Sequence, residues 1–308
     1  MKATVAPLRR QNAASMSPLA LALVLAAAVC HAVWNLVAKK AGGGNQFVLI
    51  SSLGVSVLWA PIVAWLGVQA MAGWGALQWT VLAASALVHV LYFRTLLHGY
   101  QVSDLSVVYP VARGSGPLLS SLGAVLLLGE TLSLVSAVGA LAVVCGVFLI
   151  AGGPTLWREA RDPARRARVR RGIAWGAFTG AFIAGYTVLD GYAVKVLLLS
   201  PILVDYVGNV LRVPVMLPFA LRDPASFKTA CRTLWRPALV IATLGPLSYV
   251  MVLYAVRMAP LSHVAPAREV SMLFAALLGG TLLGEGDRVV RLLGAACIAA
   301  GVVALAFG

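Results

Sequence analysis

The sequence predicts an all-α, polytopic membrane protein of about ten transmembrane helices, arranged as an inverted 5+5 repeat. Three observations carry that prediction. The 308 residues are 61% hydrophobic and only 11% charged, with a mean hydropathy of +0.92; a soluble domain carries about 25% charged residues. The apolar residues fall into runs of roughly 20, the length that crosses a bilayer core, broken by short polar links. The second half of the chain also repeats the first at one ungapped offset.

Span-length runs place helices at 17–38, 46–69, 77–98, 104–128, 133–152, 172–194, 201–221, 237–257, 262–284 and 288–307. Most links are short, which makes consecutive helices antiparallel neighbours. The exception is 153–171, with seven arginines against Glu159 and Asp162. It divides the chain into a basic tail (1–16), a first five-helix repeat (17–152), an Arg-rich linker (153–171) and a second five-helix repeat (172–308). The first run is too long, and too polar at its end (Asn35, Lys39, Lys40), for a signal peptide. It reads as a retained span, and Met16 is an alternative start.

Adding 155 takes Asn35 to Asp190, Ala112 to Ala267 and Arg113 to Arg268. The same step takes Leu127, Leu128, Gly129 and Glu130 to Leu282, Leu283, Gly284 and Glu285, and Gly139 and Gly146 to Gly294 and Gly301. Matches of alanine or leucine are cheap in so apolar a chain; matches of arginine, glutamate and paired glycine are not. Five is odd, so the second copy enters the membrane from the opposite side. Inverted pairs of this kind build transporters, with the binding site near mid-membrane at the repeat interface.

Orientation follows from the basic residues in the links. Fifteen lie on one side, against five on the other (Lys2, Arg9, Arg10, Lys195 and Arg257). The rule puts the fifteen in the cytoplasm and both termini outside. The net charge of +14 is thus an expectation of contact with anionic lipid headgroups, not with nucleic acid, because no basic helix stands outside the spans. Cys30, Cys145, Cys231 and Cys297 form no CxxC pair, so neither disulfide framework nor zinc site is expected. The chain has no HExxH, GxSxG or Walker A motif, and its four histidines have no metal-ligand spacing. An enzyme, a cofactor and ATP drive are therefore not expected.

Several motifs then line up. His31, Trp34, Asn35 and Lys39 close the first span. Tyr109, Pro110, Arg113 and Pro117 run into Leu126 to Glu130. The second half has Tyr186, Asp190 and Tyr192, then Pro266, Arg268 and Glu269, then Leu282 to Glu285. In order, spacing and duplication these resemble the EamA-type proteins of the drug/metabolite transporter superfamily, over residues 17–307. The resemblance implies ten spans around a central cavity lined by spans 1, 3, 4, 6, 8 and 9, alternating access, and cytoplasmic termini, against the charge count. It implies a permease of the inner (cytoplasmic) membrane for a small molecule, and does not name the cargo.

Charges at bilayer depth persist when they are paired or face water. Arg94, Arg113, Asp190, Asp205, Arg212, Arg268 and Glu269 all fall inside predicted spans. Arg113 and Arg268 occupy equivalent places and are the first candidates for substrate contact, as forks for a carboxylate or phosphate. The alternative is a structural pair, Arg113 with Asp190 or Arg268 with Glu269. Pro110 and Pro117 are expected to distort the fourth span, and Pro266 the ninth. Asn35, Asp190, Trp34, Tyr109, Tyr186 and Tyr249 are further substrate-site candidates, with Tyr92. Asp190, Glu269 and His31 are candidates for proton coupling; the alternative is a carboxylate permanently paired to arginine. Glu130 and Glu285 read as hairpin signals after a glycine C-cap. Gly172, Gly176 and Gly180 read as a packing seam, within the chain or in a homo-oligomer. The function expected is secondary transport of a small polar, anionic or zwitterionic metabolite. The alternative is a flippase for a lipid-linked sugar or phosphate.

Overall fold

The computed structural model describes residues 16–42, 44–151, 163, 165–275 and 288–308. The tail, most of the linker and the Leu282–Glu285 motif lie outside the described residues. Every regular element described is α-helical: α1 (Pro18–Ala41), α2 (Asn45–Leu58), α3 (Ala60–Leu66), α4 (Val68–Ala72), α5 (Ala76–Val102), α6 (Leu105–Leu128), α7 (Leu134–Ile150), α8 (Arg166–Lys195), α9 (Pro201–Leu221), α10 (Pro224–Met258), α11 (Leu261–Ala267) and α12 (Arg288–Phe307). Among the described residues five helices, α1, α5, α6, α8 and α10, are long and apolar enough to cross a membrane, and α2 with α3, bent by 43° at their junction, makes a sixth if the pair is one span. Large apolar side chains point outward, as Trp65 (86% exposed) and Leu134 (81%) do. A hydrocarbon solvent permits that and water does not.

Local chemistry explains the helix ends. Ser17 accepts a hydrogen bond from the Ala20 N–H at 3.2 Å and Pro18 follows it, while Gly42 closes α1 at φ 62° after Lys39 and Lys40. Gly129 ends α6 at φ 68°. Four boundaries differ from the sequence expectation. The helix expected at 237–257 begins at Pro224, because Asp223 accepts from the Ser226 N–H at 3.0 Å and Pro224 suits a first turn; Pro237 is absorbed inside the helix. The helix expected from 172 begins at Arg166, inside the linker, and α5 runs on to Val102. The second span breaks at Trp59 and Gly67, where the Trp59 indole N–H is pinned by the Ala242 carbonyl at 3.0 Å.

The prolines act differently in the two halves. Helix α6 runs unbroken through Pro110 and Pro117, so these prolines do not end it. Pro266 does break the ninth span. Helix α11 stops at Ala267, and bonds of the i to i+3 type follow, Glu269 N–H to the Pro266 carbonyl at 3.0 Å and Met272 N–H to the Glu269 carbonyl at 2.8 Å, before residues 270–275 resume as helix.

Glycine sets the helix pairs. Helices α7 and α12 cross backbone to backbone: a Cβ on Gly139 would lie 2.9 Å from the Gly301 carbonyl, and one on Gly294 would lie 2.9 Å from the Gly146 carbonyl. The seam of Gly172, Gly176 and Gly180 lies within the chain, against α6; a Cβ on Gly176 would come 2.9 Å from the Val108 carbonyl.

The main apolar core gathers at one end of the bundle. It holds Ala20 and Val24 at the start of α1, Leu128 at the end of α6, Val194 of α8, Val256 of α10, Leu261 of α11 and Leu305 of α12. Glu130 locks this end. It meets Lys195 Nζ at 2.7 Å and accepts from the N–H groups of Leu261 (2.8 Å) and Ser262 (2.9 Å) and from the Ser262 hydroxyl (2.9 Å). Lys195 also donates to the Ala259 carbonyl at 3.0 Å. Glu130 therefore caps α11, distant in sequence, rather than the helix that follows it; Ser133 caps α7. This corrects the reading of Glu130 as a local hairpin signal. The matching reading of Glu285 lies outside the described residues.

Burial pushes the Glu130 carboxyl up, but the Lys195 ammonium and the bonds from Ser262 and Leu261 outweigh it and hold it below its ordinary 4.5. A depressed carboxyl stabilises the fold above its unfolded value and loses that contribution as pH falls through the folded one. The melting-temperature gap between wild type and Glu130→Gln is thus expected to be full above pH 4.5 and to shrink below it. A Gly146→Val change should destabilise by about 1–3 kcal/mol, the usual cost of overpacking, as read by thermal melting in detergent. Gly44→Ala, with nothing within 4 Å of the added carbon, should not.

Candidate functional site

A cavity of about 430 Å³ lies between the helices, with walls from α1, α2, α5, α6, α8, α9, α10 and the turn after α11. Its lining reaches Ala38 near the end of α1 and Tyr100 near the end of α5. The apolar core of Val24, Leu128 and Val256 closes the other end. So the cavity reaches toward the end of the bundle that carries Lys39, Lys40 and the start of α8.

Glu269 sits at the proline break of the ninth span, 1% exposed. Arg113 Nη2 lies 3.1 Å from its Oε2, and Arg268 Nε lies 3.6 Å from its Oε1. Oε2 has no hydrogen-bond partner, so this contact is an ion pair rather than a hydrogen bond, and Arg113 Nε is likewise without one. The two equivalent arginines therefore share one carboxylate, drawn from both halves of the chain. At the place equivalent to Glu269 the first half has Gly114, so two guanidiniums face one acid and leave a surplus of one positive charge.

Asp190 lies just behind the lining, 2% exposed. Ser85 donates to Oδ1 at 2.5 Å and the Tyr249 hydroxyl donates to Oδ2. Hydroxyls hold it, not arginine, which corrects the alternative pairing of Arg113 with Asp190. His89 stacks on Tyr186 with ring centroids 3.8 Å apart, and its Nδ1 sits 2.9 Å from the Ser85 carbonyl. That contact assigns the proton to Nδ1 and leaves Nε2 an acceptor.

Of the residues singled out from the sequence, His31, Trp34, Asn35, Tyr92, Tyr109, Arg113, Tyr186, Tyr249, Arg268 and Glu269 all line the cavity. Asn35 spends its amide N–H on the His31 carbonyl at 2.9 Å, and His31 meets Trp34 edge-on at 4.7 Å. The Tyr109 hydroxyl donates to Met272 Sδ at 3.2 Å. The Trp34 indole N–H is buried without a partner. Asp205 and Arg212, noted only as charges at depth, line the cavity too, with Asn209 and His89. Asp205, Asn209 and Arg212 are spaced by four and three residues, so one face of α9 carries them, and that spacing was readable. Ser85 and His89 share a helix face in the same way, but each looks ordinary in the sequence. Among the described residues, no group of three histidine, cysteine or acidic side chains could hold a metal ion.

Residues 170–307 match the model of the EamA-like transporter family. No curated protein matches the sequence. A crystal structure of another protein aligns with 92% of this chain and 95% of its own, at a TM-score of 0.68 and 14% identity. That likeness speaks for the arrangement of helices and for nothing of cargo. With its all-helical bundle of candidate spans, the chain is a multi-pass membrane protein whose second half, residues 170–307, is similar to the EamA-like transporter family.

Proposed function

We propose that the protein is a secondary transporter that moves a small polar, anionic or zwitterionic metabolite through the central cavity by alternating access. The observation that carries the reading is the Arg113–Glu269–Arg268 cluster, set in the cavity wall with one net positive charge. A charge at bilayer depth costs about 2.5–3.5 kcal/mol on insertion scales. A surplus charge facing a cavity is useful where the cargo brings the counter-charge. The volume, about 430 Å³, falls among small-molecule sites, which run from about 300 to 1,000 Å³.

The scaffold is ten spans in two inverted repeats, 17–152 and 172–308. The helix packing supports it. Gly139 meets Gly301 and Gly146 meets Gly294, and the 155-residue offset exchanges these two contacts. Such reciprocity is what a two-fold axis would give, and an antiparallel crossing is what an axis in the membrane plane would give. The pair α1 with α10 likewise maps onto α8 with α5, and both pairs are in contact.

With the basic end in the cytoplasm of an inner-membrane protein, the conformation is open inward and sealed outward by the core around Glu130 and Lys195. Opening the outer side means parting Lys195 and the α11 N-terminus from Glu130. Asp190, Glu269 and His31 are the groups placed to carry a coupled proton. Of these, Asp190 alone has hydroxyl partners that serve either protonation state.

Purified protein in liposomes tests this reading. Uptake of a polar metabolite driven by a pH gradient is expected, with Arg113→Gln and Arg268→Gln each reducing it at least tenfold. Asp190→Asn should leave uptake insensitive to the gradient. Wild-type rates from both arginine variants would remove the site.

A further inference from the structure

Three arginines line the cavity, Arg113, Arg212 and Arg268. Two are committed, because Arg113 and Arg268 share Glu269, a carboxylate buried in the cavity wall. Arg212 is different. It stands near the middle of α9, where an uncompensated charge is costly. Among the described residues it makes no ion pair. Its hydrogen bond to the protein is a long one, Nη1 to Asn209 Oδ1 at 3.5 Å, and its Nε has no partner.

Its neighbours make no direct ion pair with it. Asp205 lies on the same face of α9 but spends no oxygen on Arg212, and Asn209 gives its own amide N–H to the Asp205 backbone carbonyl at 2.9 Å. Asp190 is held by Ser85 and Tyr249. His89, on α5, donates from Nδ1 to the Ser85 carbonyl and brings no negative charge. Arg212 is thus the one cavity guanidinium among the described residues that no carboxylate meets in a direct ion pair; Asp205 and Asp190 act on its charge only from a distance.

We propose that Arg212 is the anion anchor of the cargo site: a carboxylate or phosphate oxyanion of the cargo docks on its guanidinium, while Arg113 and Arg268 hold the wall through Glu269. This rests on the transport reading above and assigns its anion contact to α9 rather than to the repeated arginines. A planar guanidinium pairs with such oxyanions in a geometry that lysine cannot reproduce.

The full chain in lipid nanodiscs can be titrated with succinate, glutamate, benzoate and phenyl phosphate, each beside its neutral amide or alcohol. Wild type is expected to bind at least one anion ten times more tightly than its neutral counterpart. Arg212→Gln should cut that preference to within twofold, and Arg212→Lys, which keeps the charge and loses the fork, should cut it at least threefold. If the glutamine variant does not fold, the lysine variant alone decides, and an unchanged preference in it overturns the proposal. A wild-type preference that survives in Arg212→Gln overturns the anchor and leaves the transport reading standing. A wild type that shows no preference for anions overturns both the anchor and the anionic cargo.

Discussion

A carboxylate cannot sit ionised in the low dielectric of a membrane protein without an answering charge, and the site is organised around that constraint. Glu269 is buried to 1% exposure. It is held by Arg113, from the first half of the chain, and by Arg268, its own neighbour. Removing one partner of a buried pair costs about 3–5 kcal/mol, because the other charge is stranded. The break after Pro266 presents Glu269 there: the turn at 268–269 leaves the regular helix where the carboxylate must reach across to α6.

The rest of the bundle serves to bring those halves into register. Glycines at 139, 146, 294 and 301 let α7 and α12 touch through their backbones. Van der Waals packing of this kind is a main source of helix association in lipid, where no hydrophobic effect drives it. Some polar contacts stand where an apolar alternative would leave a backbone group unsatisfied. Glu130 is such a place, since the first N–H groups of α11 have no intrahelical partner and the carboxylate accepts two of them. Its ion pair with Lys195 ties α8 into the same corner. The result is one end packed with aliphatic side chains and another into which the cavity extends.

Much of this was legible before the structure. Helices were readable because about 20 apolar residues per span and capping residues such as Ser17 and Gly129 act locally. The cavity position of Arg113 and Arg268 was readable because the same rare residue recurs at equivalent places. What was not readable depends on contacts distant in sequence. The partners of Glu130 lie 65, 131 and 132 residues away. Asp190 takes hydroxyls from α5 and α10, at separations of 105 and 59, where charge alone suggested an arginine. Nor was it readable that α6 continues through its two prolines, as membrane helices can where neighbours re-satisfy the freed backbone groups.

The pairing of Glu269 with Arg113 is the claim on which the account stands, and a double-mutant cycle in thermal stability measures it most directly. Glu269→Gln and Arg113→Gln should each lower the melting temperature of the purified protein. The double variant, which strands neither charge against the other, should lose much less than the sum of the two. Strictly additive losses would contradict the account, since they would mean that the two side chains do not answer one another across the halves.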